Sequence, residues 1–152
     1  MSGSAGLFFN KKLVPMKPLN ITARKDSPEV SFNPNTNKFS IMGICHPENV
    51  TKFFAPVEVW LDAYLREIIS TGKANPIQLV LFFRYFNSAT YKYLLYLLSK
   101  FKAFQEAGVQ VSLDWYYEPE DEEMRESCIE LFEFSELKIP FRCIKADGTN
   151  PL

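Results

Sequence analysis

The stretch Ile77–Phe86, Ile-Gln-Leu-Val-Leu-Phe-Phe-Arg-Tyr-Phe, constrains this chain more than any other part of it. It is apolar nearly throughout and bounded by turn formers, Asn75-Pro76 before it and Asn87-Ser88 after it. Such a run has the texture of a strand covered on both faces, and parallel strands flanked by helices are the usual case. The flanking sequence agrees. Val50, Phe53, Phe54, Val57, Trp60, Leu61, Tyr64, Leu65 and Ile68 recur at three- and four-residue steps, which predicts a helix from near Asn49 to just before Gly72. Pro56 lies inside it and should bend or break it. A second helical pattern starts at once after Ser88, with Tyr91, Leu94, Leu95, Leu98 and Phe101 on one face, and closes at Gly108.

The same alternation continues to the C-terminus. Val109–Glu118 reads as a strand, Pro119–Phe134 as a third helix and Pro140–Ala146 as a last short strand. Ahead of the first helix, Leu19–Ala23, Glu29–Asn33 and Lys38–Gly43 are β-rich. Val30, Phe32, Phe39 and Ile41 fall at period two around the turn formers Asn33-Pro34-Asn35-Thr36-Asn37, a β-hairpin with one apolar face. Strands joined by helices need crossovers, so that part of the sheet should be parallel and right-handed. The expectation is one α/β domain: a central mixed sheet with an N-terminal hairpin and about three main helices packed on it. Its bounds are residues 16–146, with a flexible leader or tag over 1–15 and a tail over 147–152.

Composition narrows the function. The 152 residues, 47% hydrophobic and 23% charged, suit one soluble core, made dense by fourteen Phe and seven Tyr. A net charge of −1 gives the whole molecule no attraction for nucleic acid or an anionic membrane. No apolar stretch is long enough to span a bilayer, and Leu7-Phe8-Phe9 is too short for a signal peptide, so the expected location is cytoplasmic. Cys45, Cys128 and Cys143 are three in number without close pairs, which suggests buried free thiols rather than a disulfide framework or a zinc site.

The usual constellations of an enzyme are missing. His46 is the only histidine; beside Cys45, it would rarely point at that thiol, and a surface or capping role is the plainer one. None of the six glycines opens a helix after a strand as a phosphate cradle would. Glu118 to Glu136 contains nine acidic residues against one basic, Arg125, without the glycine turn of a calcium loop. Acidic residues in a first helical turn are favoured by the macrodipole alone. The chain is therefore read as a non-enzyme without metal or cofactor.

One junction offers more. At Tyr85-Phe86-Asn87-Ser88-Ala89-Thr90 a buried strand stops and a hydroxyl stands at the first turn of an amphipathic helix. Capping explains a Ser, Thr or Asn there by itself. The position also accommodates an anion, because free backbone N–H groups and the positive dipole end face it. A phosphoryl group on Ser88 would add charge without unfolding the helix.

The order Asp26-Ser27-Pro28-Glu29-Val30-Ser31-Phe32, then His46-Pro47-Glu48-Asn49, then Tyr85-Phe86-Asn87-Ser88-Ala89-Thr90, with Asp114-Trp115-Tyr116-Tyr117 and the acidic stretch behind it, resembles the SiaC family of bacterial regulatory phosphoproteins from about Met16 to Ile144. The resemblance implies a partner-switching module, similar in logic and loosely in fold to the STAS-domain antagonists of anti-sigma factors. It implies three partners: a dedicated Ser/Thr kinase, a PP2C-type phosphatase, and a downstream target such as a diguanylate cyclase, bound by the unphosphorylated form in cyclic di-GMP signalling. The family's acceptor follows Asn in an Asn-Thr-Ser-Ser pattern. This chain has Asn-Ser-Ala-Thr, which places the acceptor at Ser88 and makes Thr90 the runner-up. The candidates for partner contact are Asn87, Ala89, Tyr91 and Lys92 around it, Glu48 and Asn49 before the first long helix, and Glu118 after the following strand. The competing reading keeps the fold as a constitutive protein-binding module in which Ser88 is only a helix cap.

Overall fold

The structure, a computed structural model, describes residues 16–135, 137–148 and 151. The leader over 1–15 lies outside the described residues. Six strands form one sheet in sequence order, β1 (Leu19–Ile21), β2 (Glu29–Asn33), β3 (Lys38–Cys45), β4 (Ile77–Phe86), β5 (Val111–Tyr117) and β6 (Phe141–Lys145). The first three pair antiparallel and β3 through β6 pair parallel, so the sheet is mixed as the pattern predicts. The parallel strands are joined by α1 (Val50–Thr71), α2 (Ser88–Glu106) and α3 (Glu122–Ser135).

The local signals act where the sequence places them. Asn49 caps α1, its Oδ1 accepting from the Lys52 N–H at 3.0 Å, and Gly72 closes it in the left-handed conformation. Pro56 does not break α1, which is continuous through it. The helix is held on both sides of the proline by Phe54, Val57, Trp60 and Leu61, all buried. In the hairpin turn, Asn37 adopts a positive φ of 56°, and its side chain accepts from Tyr64 Oη and donates to the Asn75 carbonyl. That locks the β2–β3 turn to α1 and to the segment entering β4. The third helix starts later than predicted, because Glu118–Asp121 forms a turn and Asp121 caps α3 by accepting from the Met124 N–H at 3.0 Å.

One expectation is corrected. Among the described residues, Ile77–Phe86 is covered by helices on one face only. The strands follow one another across the sheet without reversing direction, and crossovers of one hand then deposit every helix on the same side. On that side Phe32, Phe39, Leu79, Leu113 and Phe141 align across the register. There Phe32 and Phe39 pack against Trp60 of α1 and Phe101 of α2. The opposite row, Met42, Phe82, Tyr116 and Ile144, is half-buried, and none of the three described helices lies over it. Below it Asp114 is buried and satisfied, accepting from Arg142 Nε and Nη2 and from Gln78 Nε2, each at 2.9 Å.

The expectation of three free thiols is also corrected. Cys128 of α3 and Cys143 of β6 form a disulfide, and Cys45 is the free one among the described residues. Sequence spacing hid the pair, because the fold brings α3 back across β6.

Candidate functional site

All four parallel strands end at one edge, and the segments leaving them gather most of the candidate residues. Cys45, the last residue of β3, is paired with Phe86, the last of β4. His46-Pro47-Glu48-Asn49 and Asn87-Ser88 therefore leave the sheet side by side. Glu118 follows the end of β5 at the same edge. The His46 N–H donates to the Asp26 carbonyl at 2.9 Å, which adds the Asp26–Phe32 segment to the group.

A bulge shapes the end of β4. The register with β3 shifts between Gly43 and Ile44, where Gly43↔Phe83 is followed by Ile44↔Tyr85 and Arg84 is left without a counterpart. Gly43 has φ +123°, a conformation that side chains rarely adopt. The extra residue turns the strand, so Phe83 and Phe86 both lie against Trp115, with centroids at 5.9 and 6.0 Å. It also leaves Tyr85 53% exposed, with its ring edge-on to His46 at 5.6 Å. Sequence reading did not single out Tyr85; the signal that could have found it is Gly43, placed at the end of a predicted strand that in fact continues to Cys45.

Asn87, and not Ser88, is the N-cap of α2. Its backbone is extended and its Oδ1 accepts from the Thr90 N–H at 2.9 Å. Ser88 is the first helical residue, exposed, with its hydroxyl free of hydrogen bonds to the described residues. The cap role considered for Ser88 thus has another owner, since one side chain suffices to satisfy that N–H. Thr90, the second acceptor considered, is fully buried, and its Oγ1 donates to the Cys45 carbonyl at 3.0 Å. A kinase cannot reach that oxygen while the start of α2 is folded.

The remaining candidates divide by environment. Ala89 and Lys92 are exposed on the first turn of α2. Tyr91 is half-buried, its ring 6.1 Å from Phe86, and its hydroxyl donates to Glu130 Oε1 of α3 at 2.6 Å. Burial, and then the Glu130 carboxylate, push the Tyr91 phenol well above its ordinary value, so it stays a donor. Glu48 is exposed, and it lines with Asn49, Arg24, Asp26 and Lys52 an open cleft of about 930 Å³ between α1 and the β1–β2 segment. Glu118 is exposed on the far side of Ser88 from that cleft.

The Cys45–His46 neighbours do not meet, and the start of the acidic stretch serves α3. Cys45 points into the core, where burial raises its thiol to about 11, and it touches Thr90 rather than His46. In the acidic stretch, Asp121 caps α3 while Glu122 and Glu123 occupy its first turn. Among the described residues no group of three or more His, Cys, Asp or Glu side chains could hold a metal ion, and no helix is long and apolar enough to cross a membrane.

Comparison with known proteins bears on this arrangement. The model of the SiaC family regulatory phosphoproteins matches residues 21–146. An uncharacterized protein of Pseudomonas aeruginosa (strain UCBPP-PA14) is 27% identical over 120 residues, 74% of this chain and 91% of that protein. Apo-SiaC from Pseudomonas aeruginosa has a similar structure, with a TM-score of 0.72 at 25% identity over 85% of this chain and 99% of that one. So does a chain in the crystal structure of the diguanylate cyclase SiaD in complex with its activator SiaC from the same organism. There the TM-score is 0.73 at 26% identity, over 84% of this chain and 99% of that one. The family match runs from the end of β1 through β6 and includes every crossover helix, so this chain belongs to the SiaC family of regulatory phosphoproteins.

Proposed function

We propose that this chain is a non-enzymatic, phosphorylation-switched regulator. Its unphosphorylated form binds and regulates a target protein such as a diguanylate cyclase, and its acceptor is Ser88. A dedicated Ser/Thr kinase and a PP2C-type phosphatase set the state. The single observation that carries the assignment is the division of labour at the start of α2. Asn87 takes the cap and Thr90 is buried, so the exposed Ser88 hydroxyl is left with no structural task among the described residues.

The physics of a switch fits that position. A phosphoryl group adds about −1.5 to −2 charges at neutral pH, and a helix N-terminus accepts negative charge without losing the helix. The change therefore falls on the surface formed by Ala89, Lys92, Glu48 and Glu118, and the scaffold below stays as it is. Because the acidic Glu118 lies on the same edge, a complementary target presents Lys or Arg there, and added negative charge weakens or redirects that contact.

Incubation with the cognate kinase and ATP tests the assignment. Intact-mass spectrometry should show one added phosphoryl group on a peptide containing Ser88, absent in Ser88→Ala. Efficient phosphorylation mapped to another residue would overturn the site. Unchanged target affinity after stoichiometric phosphorylation of Ser88 would overturn the switch.

A further inference from the structure

We propose that Cys128 and Cys143 are a thiol–disulfide site that reacts with a low-molecular-weight disulfide such as glutathione disulfide, and that its oxidised state fastens α3 to the edge strand β6. This inference does not rest on Ser88 being phosphorylated.

The two cysteines come from different elements, and their Cα atoms are 6.2 Å apart, inside the range a disulfide spans without backbone movement. Cys128 is fully buried on α3, and Cys143 is half-buried in the middle of β6 beside its register partner Trp115. The bond sits where packing is thinnest. α3 buries only Met124, Cys128 and Leu131, whereas α2 buries seven residues and α1 six. Among the described residues β6 has a strand neighbour on one side only. Ile129, Phe132 and Phe134 of α3 remain exposed. An element held by so few buried groups is the one whose opening a covalent link changes most.

The chemistry balances with the named oxidant. The more accessible Cys143, as thiolate, attacks one sulfur of glutathione disulfide; that S–S bond breaks and one glutathione leaves. The Cys128 thiolate then attacks the Cys143 sulfur of the mixed disulfide, and the second glutathione leaves. The protein loses two hydrogens, and the protons from the two cysteines end on the two departing thiols. Cys45 takes no part, since it is buried at the other side of β4 and bonded to Thr90.

The consequence reaches the edge that carries Ser88. Glu130 stands two residues beyond Cys128 and accepts from Tyr91, while Trp115, opposite Cys143, packs on Phe86. Fixing α3 on β6 steadies the first of these contacts directly, while the second is already held by the pairing of β4 with β5.

The full chain is equilibrated in glutathione buffers of increasing oxidised fraction, alkylated and digested, and the α3 amides are followed by hydrogen exchange. The expected product is one linked peptide pair, Cys128 with Cys143, lost in Cys128→Ser and in Cys143→Ser and retained in Cys45→Ser. The α3 amides should exchange about tenfold or more slowly when oxidised than when reduced, with α1 unchanged. Both thiols remaining free across the series, a bond involving Cys45, or equal α3 exchange in the two states would overturn the proposal.

Discussion

Three polar residues at the start of α2, Asn87, Ser88 and Thr90, differ in their surroundings, and substitution separates them. Asn87→Ala removes the cap and should cost about 1 kcal/mol of stability. Thr90→Val removes a buried hydroxyl and one of the two donors to the Cys45 carbonyl, which keeps the Asn87 N–H at 3.2 Å, with an expected cost of about 0.5–1.5 kcal/mol. Ser88→Ala touches nothing buried and should stay within about 0.5 kcal/mol of the parent. Urea denaturation of the three variants checks the order. A loss at Ser88→Ala as large as at Asn87→Ala would mean that the serine is structural after all. The resemblance between Asn-Ser-Ala-Thr and the family pattern ranks Ser88 ahead of Thr90, and burial adds a physical difference between the two hydroxyls.

At the scale of elements, the bulge in β4 and the hold on α3 decide what the edge looks like. Gly43→Ala puts a side chain at φ +123°, where the space beside it is ordinary (3.6 Å to the Pro28 Cα) and the cost is conformational. An expected loss of about 1–2 kcal/mol follows from that strain. Tyr85 and Phe86 should shift with it, seen as changed chemical shifts of the His46 ring, which lies edge-on to Tyr85. Reduction of the Cys128–Cys143 link reopens a loop with a sequence separation of 15. On chain-entropy grounds that lowers stability by up to about 3 kcal/mol, measured as the difference in urea midpoint with and without reductant. No spacing rule in the sequence announces either device. A bulge is a relation between two strands, and this disulfide joins a helix to a strand that only the third crossover brings together.

At the scale of the whole molecule, the asymmetry of the sheet matters most. Among the described residues one face carries all three helices, while on the other Asp114 is buried and bonded to Gln78 and to the exposed Arg142. Burial by itself would raise the Asp114 carboxyl, but the hydrogen bonds from Arg142 and Gln78 outweigh it and hold it below the usual carboxylate range. A carboxylate lowered in the folded state contributes stability above its unfolded value, about 3.9, and loses it as pH falls through the folded one. Asp114→Asn should therefore be less stable than the parent at neutral pH, and the gap in urea midpoint should close on acidification below about pH 4. A constant gap would show that this pair does not titrate with folding. If the strand-end edge that carries Ser88 and Glu118 binds a basic target as proposed, that binding should weaken with added salt, read by calorimetric titration; affinity independent of salt would argue against a basic partner surface.

Periodicity and turn chemistry by themselves determined the α/β class, the strand and helix order, the caps at Asn49 and Gly72 and the edge where Ser88 stands. Those features depend on each residue's immediate neighbours along the chain, where the physics is local. Three things were decided by tertiary structure alone: the one face of β4 on which all the described helices lie, the burial of Thr90 against Cys45, and the meeting of Cys128 with Cys143. Each is a contact between segments far apart in sequence. The crossovers choose which segments meet, and an apolar run reads the same whether one face of it is covered or both.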